Sequence, residues 1–106
     1  MDKPPIRRAP SWKLQRMFNK GRYWERAQEG EFQQVLMAEG KSSPTHEPPG
    51  TRSQLISYRD ANGNEVARVH QYLRPDGTIG ASGRPDPKRL MVNGIVYIYQ
   101  QTKPKS

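Results

Sequence analysis

The chain contains no cysteine, which excludes a disulfide framework and any zinc site built on thiolates. It also lacks an apolar run approaching the roughly 20 residues of a bilayer-spanning helix, and no stretch is laid out as a signal peptide. A soluble, cytoplasmic protein with no membrane partner is the expectation. Hydrophobic residues make up only 32% of the 106, so the core must be small, and a chain of this length forms one domain. Acids are the scarce charge: ten Asp and Glu stand against 18 Lys and Arg, giving a formal +8 and a pI near 10.1. That imbalance attracts polyanions, because neutralising phosphates releases their counterions.

Turn chemistry is abundant by contrast, and the stretch Ser53 to Ile79 is organised by it. Asn62-Gly63 separates two alternating segments, Ser53–Asp60 and Glu65–Leu73, that are rich in β-branched and aromatic residues. Asn-Gly most readily takes the positive φ angles of a type I′ turn, so a β-hairpin is predicted with these two as its loop residues. That register sets Arg59 opposite Val66, Tyr58 opposite Ala67, Ser57 opposite Arg68, Ile56 opposite Val69 and Leu55 opposite His70. Side chains alternate across a strand. One face therefore collects Ile56, Tyr58, Ala67, Val69 and Leu73 for burial, and the other collects Ser57, Arg59, Arg68, His70, Tyr72 and Arg74.

Before this hairpin, residues 1–10 hold three prolines, Lys3, Arg7 and Arg8, the composition of a flexible basic arm. Residues 11–39 read as a helical hairpin. Its first helix is N-capped by Ser11, packs through Trp12, Leu14, Met17 and Phe18, and ends near Gly21, while Lys13, Arg16 and Lys20 form one ridge on the other side. The second helix is expected over Arg22–Glu39, with Trp24, Ala27, Phe32, Val35 and Leu36 inward, and with a kink or split at Gly30, where glycine costs about 1 kcal/mol relative to alanine. Residues 40–52 form a proline-rich loop in which His46 is solvent-exposed, since His46 and Glu47 without a further ligand make no metal site.

Residues 53–100 form the sheet. Pro75-Asp76-Gly77 predicts a type I turn followed by a positive-φ residue, leading into a third strand at Thr78–Gly80. Ala81–Pro87 crosses the surface as a loop in which Gly80 and Gly83 permit close backbone approach to a ligand, with Arg84 and Lys88 nearby for phosphate. Lys88–Val92 and Ile95–Gln100 flank a second Asn-Gly pair, Asn93-Gly94, as another hairpin. Either its Ile95, Tyr97 and Tyr99 face or its Val96 and Ile98 face can be the buried one. Residues 101–106 are a basic tail. The resulting fold class is α+β, with two N-terminal helices on one face of a small four- to five-stranded antiparallel sheet.

Helices on one face leave the Arg59, Arg68, His70, Tyr72 and Arg74 face open, a layout by which sheets present arginines and an aromatic ring to nucleic acid. The functional expectation is a small nucleic-acid-binding accessory protein, for RNA or DNA, that grips the phosphate backbone. Arg84 and Lys88 contribute from the loop, and Lys13, Arg16 and Lys20 from the basic helix. No catalytic residue, cofactor or metal is assigned on this reading. A further class is docking on a nucleoprotein complex through the Tyr97 and Tyr99 strand, if that strand lies at the sheet edge.

In outline, a short basic chain with two helices followed by an antiparallel sheet resembles the RelE-type ribonuclease toxins, which cut messenger RNA on the ribosome with basic and aromatic side chains rather than a metal. The resemblance is one of architecture and charge, with no motif matched residue by residue, and those toxins usually begin with a strand that this sequence does not show. It implies His70 or Tyr72 moving a proton while Arg68, Arg74 and Lys88 stabilise charge on the phosphate.

Overall fold

The hairpin that organises the sequence pairs Leu55 with His70, Ile56 with Val69, Ser57 with Arg68 and Tyr58 with Ala67, the register its alternation predicts. It joins β3 (Arg52–Arg59) to β4 (Glu65–Leu73). Only the loop end departs from expectation. A bulge sets Arg59 opposite Glu65 instead of Val66, because the turn lies one residue earlier than an Asn-Gly type I′ loop would. The Gly63 N–H donates to the Asp60 carbonyl at 2.9 Å, the Asp60 N–H donates to the Asn64 carbonyl at 2.9 Å, and Gly63 alone takes a positive φ, 82°. The Asp60 carboxylate decides this geometry by accepting the N–H groups of Asn62 and Asn64 at 2.9 and 3.0 Å. The two-residue loop with positive φ at both positions occurs at the other pair, Asn93 (51°) and Gly94 (78°), between the paired residues Val92 and Ile95.

The computed structural model describes residues 3–41 and 46–100. Its remaining elements are β1 (Ile6–Ala9), α1 (Ser11–Lys20), α2 (Tyr23–Gln28), β2 (Gln33–Gly40), β5 (Asp86–Val92) and β6 (Ile95–Tyr99). The six strands form one sheet in the order β1-β6-β5-β4-β3-β2, antiparallel throughout except for the parallel pair β1 and β6. The class is α+β, but the sheet is mixed and has more strands than the four or five predicted.

Two of the added strands lie where the sequence predicts something else. Residues 6–9 of the expected flexible arm are β1, held by the Val96 N–H on the Pro5 carbonyl and the Gln100 N–H on the Ala9 carbonyl, both at 2.9 Å, and by burial of Ala9. Nothing local predicts this strand, because its hydrogen-bond partners are some ninety residues away in β6. The expected second helix stops at Gln28, since Gly30 takes φ 88°, a left-handed angle that ends a helix. The remainder becomes β2, so the helical hairpin ends short of residue 39 and the proline-rich loop is shorter than 40–52. β1 also covers β6, so the Tyr97 and Tyr99 strand is not an edge. The third strand expected at Thr78–Gly80 is one bridge, Ile79 with Leu73, beyond a Pro75-Asp76-Gly77 turn with the predicted positive φ at Gly77. The basic tail, residues 101–106, lies outside the described residues.

The core forms on the face the alternation selects. Ile56, Tyr58, Ala67 and Val69 are buried against Leu14 and Phe18 of α1 and Tyr23 and Ala27 of α2. The rings of Phe18 and Tyr23 stack at 5.9 Å and those of Phe18 and Tyr58 lie 6.3 Å apart. Burying a side chain the size of Leu14 or Phe18 contributes about 1.5–3 kcal/mol, so a handful of such residues holds the helices. Tyr97 and Tyr99 pack against this cluster and Val96 is buried on the opposite side, so β6 uses both faces. Trp12, expected in the helix contact, is 61% exposed.

Candidate nucleic-acid interface

The sheet face that no helix covers carries Arg59, Arg68, His70 and Tyr72 as predicted, but its arginines are occupied. Arg68 binds Glu65 through Nε at 3.1 Å and through its terminal nitrogen at 3.1 Å. Arg89 reaches the same carboxylate at 3.3 Å, and the Ser57 hydroxyl donates to it at 2.7 Å. Arg59 donates to the Ser57 hydroxyl at 3.2 Å. Arg74 leaves this group altogether and binds Glu47 with Nε at 2.9 Å and a terminal nitrogen at 3.1 Å. The alternation places these cations on the uncovered face, but it does not show that the chain's few acids converge on them.

Among the described residues, the cations without a nearby acid are concentrated in one segment. Lys3, Arg7, Arg8, Lys13, Arg16 and Lys20 have no described carboxylate within 4 Å, and elsewhere among the described residues only Lys41 and Arg59 share that state. β1 carries Arg7 and Arg8 at one edge of the sheet, and α1, packed over β5 and β6, carries Lys13, Arg16 and Lys20. Register puts Arg7 beside Tyr97 on the helix-bearing face and Arg8 beside Ile98 on the other. On α1 the ridge of Lys13, Arg16 and Lys20 is exposed, opposite buried Leu14 and Phe18. Arg16 lies 5.2 Å above the ring of exposed Trp12, and Lys13 lies 5.6 Å above the ring of Tyr97. Sequence reasoning named the ridge and placed Arg7 and Arg8 in a flexible basic arm rather than a strand, and it read Trp12 as a packing residue. The signal for the arginines was the absence of acids between Lys3 and Lys20.

A cleft of about 480 Å³ brings together four other predicted residues: His70 and Tyr72 of β4, Arg84 of the loop and Lys88 of β5. Arg68 and Arg74 take no part in it. Gln15 of α1 supplies another wall, and Gly80, Ala81 and Ser82 line the mouth. The Ser53 hydroxyl and His70 Nε2 are hydrogen-bonded at 2.7 Å, and the rings of His70 and Tyr72 meet edge to face at 4.8 Å. Burial holds the His70 imidazole below its ordinary pKa; Lys88 adds to this and Asp86, its register partner, opposes it. Lys88 binds Asp86 at 2.9 Å and lies 4.6 Å over the ring of Tyr99. Arg84 pairs with Glu25, donates to Asn19 at 3.1 Å and covers Trp24 at 5.0 Å.

The loop is set by close contact with the chain's own residues. A Cβ at Gly80 would collide with the Glu47 carboxylate, so the approach predicted there for a ligand is taken by Glu47. That carboxylate also accepts the Ala81 N–H, and Ala81 is held at φ 56°. Among the described residues no group of metal-ligating side chains is placed to share an ion, and no helix is long and apolar enough to cross a membrane. Searches against protein-family models, curated proteins and solved structures find no match to this chain.

Proposed function

We propose that the protein binds nucleic acid through its phosphate backbone, using the β1–α1 rim rather than the open sheet face. One observation carries this reading: six cations between Lys3 and Lys20 face no described acid within 4 Å, whereas Arg68, Arg74, Arg84 and Lys88 are each matched by a carboxylate. A matched cation presents little net field beyond a Debye length of about 8 Å at physiological salt, while an unmatched cluster keeps its field. Exposed Trp12 beside Arg16 adds an aromatic surface of the kind that bases stack on. A nucleoprotein complex offers the same phosphates and is an equally suitable partner. Titration of labelled RNA and DNA at two salt concentrations tests the proposal, with a steep loss of affinity expected on adding salt and on combining Lys13→Glu, Arg16→Glu and Lys20→Glu. Affinity that ignores both changes rules it out.

A second reading, cleavage of RNA at the cleft, is favoured by the 2.7 Å contact of Ser53 with His70 beside Tyr72 and Lys88. A half-buried imidazole held below its ordinary pKa is neutral near pH 7 and suited to accept a proton. His70→Ala then abolishes cleavage even at RNA concentrations that saturate the protein; RNA left intact by the wild type excludes the reading.

A further inference from the structure

We infer that the cleft at His70 receives one unpaired nucleobase, so that the preferred ligand is single-stranded. This rests on the nucleic-acid reading above and adds which form of nucleic acid is bound and where a base goes. Within the cleft Lys88 is neutralised by Asp86 and Arg84 by Glu25, so the cavity does not offer the uncompensated positive charge that a phosphate seeks. It offers what a base seeks. Tyr72 is among the lining residues, with the Gln15 amide and the second oxygen of the Asp86 carboxylate as polar groups, while the Ser82 hydroxyl is engaged with the Arg84 backbone and the Gln71 amide nitrogen with Gln54 at 2.9 Å. A planar, neutral group with donors and acceptors on its edge matches that lining, and about 480 Å³ falls within the range of small-ligand sites, roughly 300–1,000 Å³.

The uncompensated cations lie just outside. Gln15 forms part of the cleft wall and its sequence neighbour Arg16 stands in the middle of the exposed basic ridge, so α1 contributes to both surfaces. A strand with its phosphates along Arg16 and Lys20 therefore has a base within reach of the cleft. Bases inside a duplex are stacked and paired, and only an unpaired base is free to enter. The site is also preorganised. Ser53 fixes the His70 ring, His70 meets Tyr72 edge to face, and Glu47 holds the mouth at Ala81, whose left-handed backbone persists because its surroundings enforce it.

The test compares a labelled single-stranded oligonucleotide with the duplex of the same length, and adds the four 5′-mononucleotides titrated against the protein's NMR spectrum. The single strand is expected to bind more tightly than the duplex, Tyr72→Ala to weaken it by about tenfold, and Tyr72→Phe to restore most of that loss, as base stacking predicts. Mononucleotides are expected to shift resonances of His70 and Tyr72. Circular dichroism of each variant confirms that it is folded. Equal affinity for single strand and duplex, unchanged in Tyr72→Ala, overturns the cleft assignment while leaving the rim intact. Mononucleotide shifts at His70 together with salt-independent binding of the oligonucleotide overturn the rim and retain the cleft.

Discussion

Glu65 holds Arg68 through two contacts of 3.1 Å, and this pair decides how the uncovered sheet face is read. Arg89 joins the same carboxylate at 3.3 Å, so one acid occupies two cations where alternation alone suggests a free basic surface. Removing one of them should therefore affect packing more than binding. We expect Arg68→Ala to leave the salt dependence of nucleic-acid affinity unchanged and to reduce stability by less than about 1 kcal/mol, the range of partly exposed ion pairs. Arg16→Ala should lower the slope of log affinity against log salt by about 0.7 on a single strand, one phosphate contact. Affinity measured across a salt series separates the two outcomes.

Arg74 and Glu47 tie the segment before β3 to the end of β4. The hydrogen bonds from Arg74 hold the Glu47 carboxyl below its usual value of 4.5. A carboxylate with a folded pKa lower than its unfolded one contributes stability that is fully present above the unfolded value and is lost as pH falls through the folded one. Thermal midpoints should accordingly fall below about pH 4.5, and Glu47→Gln should flatten that part of the acid limb. Because Glu47 also accepts the Ala81 N–H, the same variant should loosen the cleft mouth, detectable as faster amide exchange there.

Tyr58 is fully buried, and its hydroxyl has no hydrogen-bond partner among the described residues. Burial, then the nearby Glu25, raises its pKa, so the group stays neutral and is costly to keep away from water. Tyr58→Phe keeps the ring contact with Phe18 and removes the unmatched hydroxyl. It should raise stability by about 1 kcal/mol in chemical denaturation; a loss of that size would mean that the hydroxyl is satisfied in solution.

Ala81 sits at φ 56°, where an L-residue other than glycine costs about 1–2 kcal/mol. Ala81→Gly relieves that cost but enlarges the freedom of the unfolded chain, so we expect a gain of about 0.5 kcal/mol in unfolding titrations. If the strained backbone shapes the cleft mouth, the same substitution should weaken single-strand binding as stability rises.

Legibility from sequence followed the range of the interaction that decides each feature. The β3–β4 register was readable because alternation and a nearby turn are local, and even there the Asp60 carboxylate moved the loop by one residue. β2 was misread as helix because Phe32, Val35 and Leu36 satisfy a helical spacing, while the strand itself lies at the sheet edge, largely exposed and without apolar alternation, and the left-handed φ of Gly30 is not visible in composition. His70, Tyr72, Arg84 and Lys88 were each named, yet only the return of the loop against α1 brings them around one cavity.

The sequence by itself determined the charge imbalance, the faces of the central hairpin and the basic ridge of α1, since these depend on composition and on periodicities of two and 3.6 residues. The tertiary structure alone decided which cations are matched by an acid among the described residues. Ion pairing depends on distance in space, and the acids that neutralise the sheet and loop arginines, Glu65 beside Arg89, Glu47 beside Arg74 and Glu25 beside Arg84, come from positions far along the chain.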